Sequence, residues 1–432
     1  MEATAVVTTT TRPSIGKSDP VSYTCTCGQP EGSVLLFYRY FANNPKLPVD
    51  LLSYVHNPEE HQARFHRDIG QLHNLTGKIR VSTEGFNVTV AGSHSAIAAY
   101  IAACVAHWSF RGLDLVDLQK QDAFFKPGPG CACVFADLKV RTTAEITPLG
   151  VTNYSPATWS AVQPLSPAEF HRKCWEENVR LVDVRNHYES RIGYFVSPKG
   201  GEAVKPPLRR FSQWPQWVKG GGLTDIIIGT EKSLEDENND GGPPPVLTYC
   251  TGGIRCEKGV RWMEEYLRMM NPGHHHRLGP VYTLEGGIAA YMTWMEAEIA
   301  AGRKLPDDTL FKGQNYVFDA RGCTGIETGE PVSCCHVCGV KVARLGKCAT
   351  EGCHLVLVIC DECERTAVTG GVRCCEDCLD TWARNKEVQT GGPKSMCRCE
   401  REREKELWGD GKGRLKGPRT QGPRTQGPRV KS

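Results

Sequence analysis

Hydrophobic and polar positions along the first third of the chain follow two alternating periods. A period of two predicts strands, and a period of 3.6 predicts helices. The hairpin is the clearest part, because two short alternating segments flank the turn residues Glu84 and Gly85. The pattern predicts, in order, a strand over 34–40, a helix over 56–73, strands over 78–82 and 86–90, a helix over 94–106 capped by Ser93, and strands near 114–117 and 133–141. This β-α-β-β-α-β order predicts a ferredoxin-like α+β domain.

Farther along the chain, helical patterns alternate with short apolar runs, and turn residues flank each of these runs. Ser166 and Glu169 form a capping box around Pro167, which starts a helix that leads to an apolar strand at 179–183. The same alternation continues for about a hundred residues more, and it predicts an α/β domain with a doubly wound parallel sheet. A polar stretch at 220–245, rich in acidic residues, glycine and proline, is expected to be a surface loop.

A loop headed by a cysteine follows the next apolar strand, at 246–249, and opens into a helical pattern. Two glycines allow this loop to curl so that its backbone N–H groups point inward, and the helix presents its positive end to an anion. Arg255 adds a fixed charge, so the Cys250 thiol is expected to ionise well below an ordinary thiol. The alternative is a buried structural cysteine beside a turn, which needs neither the glycines nor the arginine. The candidate loop residues are Cys250, Thr251, Gly252, Gly253, Ile254, Arg255 and Cys256.

Cysteine usage is uneven, since thirteen of the 21 cysteines lie between Cys323 and Cys399. Paired thiolates two to four residues apart are typical ligands of tetrahedral zinc, and without a secretory signal metal binding is favoured over a disulfide scaffold. Eight cysteines supply two four-ligand sites for structural zinc, although the spacing leaves open which pairs combine. The alternative is a small β-rich appendage with free thiols. The candidate ligands are Cys335, Cys338, Cys348, Cys353, Cys360, Cys363, Cys375 and Cys378, with Cys334, Cys374, His336 and His354 as substitutes.

Length and composition indicate a globular protein of several domains. The chain has 432 residues, 40% of them hydrophobic and 23% charged, which is too long for one ordinary core. No apolar run is long enough to span a bilayer, and the first residues lack a secretory signal, so we expect a cytoplasmic protein with no membrane partner, while a short organelle leader stays open. No organic cofactor is evident. The predicted divisions are a disordered lead-in at 1–30, the ferredoxin-like domain at 31–150, the α/β domain at 160–305, a cysteine-rich module at 306–400 and a basic disordered tail at 401–432.

The net charge of +3 hides an asymmetry between the tail and the body of the chain. The segment after residue 410 has seven basic residues and no acidic one, which leaves the rest of the chain at −4. Repeated Gly-Pro-Arg triplets predict that this tail is disordered. It is either a solvated end or an electrostatic contact for RNA phosphates.

Several motifs resemble those of one protein family. Cys-x-x-Gly-x-Arg after a strand resembles the active-site loop of rhodaneses, in which the cysteine carries a persulfide. The longer form at 249–258 is similar to the rhodanese-containing tRNA uridine hydroxylases and their eukaryotic thiosulfate-sulfurtransferase-like relatives. Further segments that resemble this family are 181–189 with its Asp-x-Arg signature, 281–288 with a Gly-Gly turn, 311–319, and 77–92 with Ser-Thr-Glu-Gly-Phe-Asn. The resemblance covers roughly residues 34–380 and implies an acylphosphatase-like N-terminal domain.

The resemblance also implies an activity, the oxygen-dependent conversion of a wobble uridine in tRNA to 5-hydroxyuridine. Cys250 is then the nucleophile, Arg255 and the loop amides hold its charge, and Cys256 is either a resolving thiol or a small first-turn residue. Asp183 and Arg185 are expected to brace the loop through a buried ion pair. The N-terminal domain and the zinc module would hold the anticodon arm, with an RNA-facing surface formed by Lys78, Arg80, Glu84 and Asn87.

Two other functions stay open. One is a sulfurtransferase that moves sulfur from a small-molecule donor such as thiosulfate to a small-molecule or protein acceptor. The other is a zinc-containing interaction protein with an inactive rhodanese domain, against which the intact Cys250 and Arg255 argue. Glu257 and Lys258 are expected at the surface of their helix, and the histidines at 274–276 in a solvated turn.

Overall fold

The computed structural model describes most of the chain between residues 32 and 385. The expected lead-in and tail, most of the 220–245 loop, the histidines at 274–276 and His354 lie outside the described residues. The ranges described are 32–43, 46–47, 55–151, 154–223, 243–270, 279–326, 331–350, 353, 355–367 and 370–385.

The N-terminal domain is a five-stranded sheet covered by helices on one face. Its elements are β1 (Gly32–Tyr40), α1 (Pro58–Leu72), β2 (Thr76–Ser82), β3 (Gly85–Ser93), α2 (His94–Ala106), α3 (Leu118–Phe125), β4 (Gly128–Gly130) and β5 (Leu138–Thr142). The strand order is β4-β1-β3-β2-β5; the first four strands are antiparallel, and β5 joins β2 in parallel. The predicted ferredoxin-like fold is confirmed, including the cap of α2 by the Ser93 side chain.

One predicted strand of this domain, near 114–117, is wrong. The side chain of Asp117 accepts the backbone N–H groups of Gln119 and Lys120, which makes it the N-cap of α3 instead. The fourth strand forms at β4, after this helix. Apolar alternation over four residues does not distinguish a strand from the approach to a capped helix, so the sequence pattern was insufficient here.

Side chains of β1 alternate between two environments, as the pleat of a strand requires. Leu35 and Phe37 belong to the core between the sheet and its helices. Leu36, Tyr38 and Tyr40 therefore point to the opposite, outer face of the sheet. That outer face lies against the next domain, and it is important for the candidate site described below.

The α/β domain has a parallel sheet with helices on both faces. Its elements are β6 (Gln163–Leu165), α4 (Pro167–Lys173), β7 (Arg180–Asp183), α5 (His187–Ser190), β8 (Gly193–Ser197), β9 (Gly201–Glu202), α6 (Trp214–Lys219), β10 (Val246–Tyr249), α7 (Ile254–Met270), β11 (Val281–Leu284) and α8 (Gly287–Ala300). The strand order is β6-β11-β10-β7, and all three pairings are parallel. One apolar core joins the sheet to α6 and α7, and the other joins it to α4 and α8. The predicted doubly wound sheet and the capping box of α4 are confirmed.

The C-terminal region is small, and its packing depends largely on cysteines. Its elements are β12 (Phe311–Gly313), β13 (Asn315–Tyr316), β14 (Cys323–Thr324), β15 (Leu345–Lys347), β16 (Val356–Val358), α9 (Asp361–Arg365) and α10 (Glu376–Asn385). Strand β12 pairs with β8, which ties this region to the α/β domain. A disulfide bond joins Cys131 to Cys133 in the N-terminal domain, whereas the described cysteines of the C-terminal region form no disulfide bond. In the described parts of the chain, no helix combines the length and the apolar character needed to cross a bilayer.

Candidate active site

Cys250 lies at the carboxyl end of β10, where the chain turns into α7. Its side chain is fully buried. The backbone N–H of Gly253 donates to Cys250 Sγ at 3.2 Å. Because α7 begins at Ile254, the positive end of that helix also faces the sulfur atom. The local fold therefore collects several N–H donors around one thiol.

These donors change the acidity of the thiol. Burial alone would raise the pKa of Cys250, but a hydrogen bond from the Cys256 thiol, the charge of Arg255 and the backbone N–H groups of Cys256 and Arg255 together lower it to about 6. Burial raises the pKa of Cys256, so this thiol keeps its proton and donates it to Cys250. At neutral pH the arrangement favours one thiolate beside one neutral thiol, which suits a nucleophile and a resolving partner.

The lowered pKa of Cys250 leads to a pH-dependent prediction. The ultraviolet absorbance of the thiolate, taken as the difference between wild type and Cys250→Ser, is expected to rise with a midpoint near pH 6. The thiol form predominates below this midpoint and the thiolate above it. Cys174→Ser is the control, because burial raises the pKa of Cys174 and the substitution should remove no signal over about pH 5 to 8. A difference midpoint near that of a free thiol would contradict the geometry.

Arg255 is held by a residue that the sequence analysis did not select. Its guanidinium donates to both carboxylate oxygens of Glu189 at 2.7 Å, and to Thr251 Oγ1 at 2.9 Å. Glu189 is fully buried and belongs to α5, where its carboxylate also accepts the backbone N–H of Asn186. That spacing of three residues, typical of a helix start, was the available signal. Arg255 is therefore an ion-paired residue that supports the loop as well as a charge near the sulfur.

A second buried ion pair lies under the loop. Arg185 donates from Nε and Nη2 to Asp183 at 2.9 and 2.6 Å, and from Nη2 to the Gly193 carbonyl at 2.6 Å. Both side chains of the pair are fully buried. The Arg185 guanidinium lies 5.7 Å from the ring of Tyr249, the residue that precedes Cys250. This contact is the physical basis for the bracing role predicted for the pair, which stays a prediction.

The Gly-Gly turn before α8 closes the loop from the other side. The backbone N–H of Ile288 donates to the Cys250 carbonyl at 2.9 Å. Gly287 has φ +66, and a Cβ on it would lie only 2.5 Å from the Cys250 oxygen and 2.7 Å from the Gly253 nitrogen. The close approach of the two backbones therefore requires glycine at this position.

The outer face of β1 covers the Cys250 loop. A Cβ on Gly252 would lie 3.0 Å from Leu36 Cδ2, and a Cβ on Gly253 would lie 2.8 Å from the Tyr38 hydroxyl. These distances show that the N-terminal sheet packs directly on the loop. The candidate site is thus built by two domains, which the local cysteine motif does not reveal.

Lys258 is buried and Glu257 is largely buried in this interface, so the prediction that they lie at the helix surface is wrong. Lys258 is 2% exposed, and its ammonium donates to Glu84 at 2.8 Å and to Glu145 at 2.7 Å. The Glu257 carboxylate accepts a hydrogen bond from Asn43, and burial raises its pKa. Both residues lie on the side of α7 that contacts the N-terminal domain.

Glu84 is held within the protein by both carboxylate oxygens, and its predicted contact with RNA stays a prediction. One of its carboxylate oxygens binds Lys258 and the other accepts the Ile146 N–H at 2.7 Å. The Glu84 side chain, in the turn between β2 and β3, thus contacts α7. Lys258, Glu84 and Glu145 are called the interdomain cluster below.

The other three residues predicted to face RNA lie on the outer face of the N-terminal sheet. Lys78 and Arg80 are exposed on β2, and Lys78 Nζ donates to the Phe318 carbonyl at 3.2 Å. Asn87 lies on β3 beside Arg80 and donates to the Ile146 carbonyl at 3.2 Å. Their contact with RNA stays a prediction.

Eight cysteines of the C-terminal region form two groups that could each hold a metal ion. Within each group all sulfur atoms lie within 4.8 Å of one another. The Cys338–Cys360 and Cys353–Cys374 sulfur pairs are 3.7 Å apart, close to the edge of about 3.8 Å in a tetrahedron with metal–sulfur bonds of about 2.3 Å. The groups are Cys335, Cys338, Cys360 and Cys363, and Cys348, Cys353, Cys374 and Cys378.

The second group differs from the predicted ligands at one position. Cys374, which the sequence suggested only as a substitute, takes the place of Cys375. The buried Cys374 donates its backbone N–H to Cys348 Sγ at 3.4 Å, and its sulfur lies 3.4 Å from that of Cys378. The turn before α10 directs the first of the two adjacent cysteines inward, so Cys375 lies outside the group.

The fold and the cysteine loop together define a thiol site of the rhodanese type, and comparisons with known proteins agree. The family model described as UPF0176 acylphosphatase like domain matches residues 32–146, and the one described as Rhodanase C-terminal matches residues 312–379. A tRNA uridine(34) hydroxylase of Enterococcus faecalis is 30% identical over 290 residues, which cover 67% of this chain and 71% of that protein. The chain belongs to the rhodanese-containing tRNA uridine hydroxylase family.

Two further relatives show how much of each chain is shared. A tRNA uridine(34) hydroxylase of Staphylococcus aureus is 28% identical over 358 residues, which cover 82% of this chain and 92% of that protein. Rhodanese-like domain-containing protein 6 of Arabidopsis thaliana is 28% identical over 355 residues, or 80% of this chain and 52% of that protein. The chain thus spans about half the length of the Arabidopsis relative, and likewise 52% of a tRNA uridine(34) hydroxylase of Leptospira interrogans.

Proposed function

We propose that this protein is a tRNA-modifying enzyme that hydroxylates a wobble uridine at C5 in an oxygen-dependent reaction, with Cys250 as the catalytic nucleophile. The observation that carries the proposal is the outer face of the N-terminal sheet, which leads from two adjacent arginines, Arg80 and Arg141, to the Cys250 loop. The names of the bacterial relatives support the same substrate.

The arginines lie side by side on two parallel strands. The register places Arg80 opposite Arg141, and Lys78 opposite Lys139. Like charges that face each other across strands are destabilising, so such pairs favour an anionic partner. Neither Arg80 nor Arg141 has a carboxylate partner in the part of the chain that the structure describes.

The same register leads from these cations to the thiol. Arg80 is adjacent to Asn87 on β3, and Asn87 is adjacent to Tyr38 on β1. Tyr38 in turn contacts the loop at Gly253. We therefore propose that phosphates of the anticodon arm bind at the arginines, while the unstacked base of the target nucleotide reaches Cys250.

The chemistry uses the ionised thiol. In the proposed reaction, Cys250 Sγ bonds to C6 of uracil, and the C5–C6 electron pair moves toward O4 as an enolate, which makes C5 nucleophilic toward oxygen. One atom of O₂ replaces the hydrogen at C5, the other leaves as water, and the thiolate departs from C6. The two electrons required come from the Cys250 and Cys256 thiols, which close a disulfide that a cellular thiol then reduces.

Purified protein incubated with unmodified tRNA tests the proposal. Nucleoside mass spectrometry should detect 5-hydroxyuridine with air and a thiol reductant, and none under anaerobic conditions. The alternative, a sulfurtransferase, is favoured by the N–H donors around Cys250 Sγ, which also suit a persulfide anion. Formation of thiocyanate from thiosulfate and cyanide, with no hydroxylated nucleoside, would favour the alternative. We place either activity in the cytoplasm, where reduced thiols are maintained.

We also propose that both cysteine groups bind structural zinc. Thiolate ligands at these distances fit tetrahedral zinc, and a small apolar cluster packs among the ligands of the second group, so metal binding would also stabilise the fold of this region. Two zinc ions per chain are therefore expected by elemental analysis.

Single substitutions distinguish the ligands from their neighbours. Cys374→Ser is expected to lose one zinc equivalent and to expose the C-terminal region to protease. Cys375→Ser is the matched control, and it should retain both ions because Cys375 lies outside the group. Equal metal loss in the two variants would contradict the ligand assignment.

A further inference from the structure

Lys126 belongs to the N-terminal domain but lies beside the Cys250 loop. It ends α3 in a left-handed conformation with φ 48, and its ammonium donates to the Phe124 carbonyl at 3.0 Å. A Cβ on Gly286 would lie 3.6 Å from Lys126 Cδ, and the Lys126 ammonium lies 5.8 Å from the centre of the Tyr38 ring. These contacts place the cation between β1 and the turn that precedes α8.

Lys126 lies within electrostatic range of the Cys250 thiol. Burial lowers the pKa of Lys126 to about 8, while the charges of Glu285 and of the Cys250 thiolate act in the opposite direction. Lys126 is partly buried, and among the described residues it forms no ion pair with a carboxylate. A partly desolvated ammonium without a carboxylate costs stability, so a ligand for it is expected.

Tyr38 supplies a flat surface next to this cation. Its hydroxyl lies over Gly253, and its ring is only partly buried. Burial, together with the negative charges of Glu257 and Cys250, raises the pKa of Tyr38, so the ring stays neutral. Aromatic side chains beside an RNA path commonly stack on unpaired bases.

We propose that Tyr38 and Lys126 form the base-binding half of the site, in which the target base stacks on Tyr38 and its C4 carbonyl accepts a hydrogen bond from Lys126. This inference rests on the proposed function. An ammonium group only donates hydrogen bonds, so it fits O4 of uracil and opposes the C4 amino group of cytosine. The same contact stabilises the enolate oxygen that forms when Cys250 bonds to C6. Lys126 is thus both a selectivity residue and a catalytic residue.

Steady-state kinetics of hydroxylation on tRNA test the lysine. Lys126→Met is expected to lower kcat about 100-fold, as removal of an oxyanion donor typically does, and Lys126→Arg to restore part of it. The dissociation constant of tRNA should change little, because the phosphates bind elsewhere. Lys120→Met is the matched control, since Lys120 lies on α3 but is exposed and paired with Asp114. Tyr38→Phe, which keeps the ring, should lose less activity than Tyr38→Ala.

Two results would overturn the inference. One is a wild-type kcat in Lys126→Met. The other is a loss of kcat in Lys126→Met that disappears once the pH is high enough to ionise Cys250 fully. In that case Lys126 would act only by favouring the thiolate form of Cys250. The thiolate titration of Lys126→Met, measured by absorbance, separates this second case.

A crosslinking experiment distinguishes failure of the inference from failure of the proposed function. An anticodon stem-loop with 4-thiouridine at the target position is irradiated on the full chain carrying Cys250→Ser. A crosslink within β1 at Tyr38 supports the base site even if the wild type forms no 5-hydroxyuridine. If the wild type forms 5-hydroxyuridine but the crosslinks lie outside β1 and the Lys126 segment, the proposed base-binding site is overturned and the proposed function is retained.

Discussion

Cys250→Ser is expected to lower the rate of 5-hydroxyuridine formation by at least about 10³-fold, equivalent to about 4 kcal/mol of activation free energy. The N–H donors and Arg255 lower the pKa of the thiol to about 6, whereas a serine hydroxyl at the same place stays protonated. The variant should fold normally, since the substitution removes little volume. Single-turnover reactions analysed by nucleoside mass spectrometry give the rate directly.

The matched control for this experiment is Cys174→Ser. Cys174 is also fully buried in the α/β domain, but burial raises its pKa and it lies outside the loop. Its substitution should leave the rate within about twofold. Cys256 is not suitable as a control because its thiol donates to Cys250. If Cys250→Ser retained activity, the assignment of the whole loop would be wrong.

Lys258→Met is expected to lower the free energy of unfolding by about 3–5 kcal/mol, because it leaves two carboxylates of a largely buried cluster without their cation. Lys258 is 2% exposed, and Glu84 and Glu145 retain only 22% and 20% of their side-chain exposure. The loss should include the contact between the N-terminal sheet and α7. Urea unfolding followed by tryptophan fluorescence measures it, and limited proteolysis reports on separation of the domains.

Lys199→Met is the matched control, because Lys199 also binds a glutamate at 2.8 Å but on the surface. An exposed pair of this kind contributes about 0–1 kcal/mol. The triple variant Lys258→Met, Glu84→Gln, Glu145→Gln should recover much of the lost stability, since it removes the unpaired charges. Equal destabilisation by Lys258→Met and Lys199→Met would show that burial of the interdomain cluster is not the cause.

The fold was largely predictable because its determinants are local. The serines at 93 and 166 start their helices as the capping patterns predicted, and the two predicted strands pair as a hairpin, although its turn is at Thr83 and Glu84, one residue earlier than expected. Periodicity failed near 114–117, where the segment was too short for its period to be decisive. Local pattern is thus reliable where a cap or a turn residue fixes the boundary, and ambiguous elsewhere.

The candidate site divides in the same way. The loop from Cys250 to Cys256 was evident, since seven successive residues supply the thiol, the N–H donors and the arginine. The contact of Glu84 with the α/β domain was missed because a polar residue in a turn suggests exposure, while its partner Lys258 lies 174 positions away. Tyr38 and Lys126 had no local signal, because their proximity to the thiol arises only when two domains pack. Adjacent cysteines such as Cys374 and Cys375 have equivalent spacing, and only the turn geometry separates them.

The interdomain cluster limits how the N-terminal domain and the α/β domain can be exchanged between related proteins. If the two domains were expressed separately, Lys258 on one and Glu84 and Glu145 on the other would be exposed to water at little cost in free energy. These charges therefore do not prevent separate expression of the domains. The cost arises when a different N-terminal domain covers α7, because Lys258 would then be buried without its carboxylates. Chimeras that exchange one domain alone should therefore assemble poorly, and the two domains should be exchangeable only as a pair.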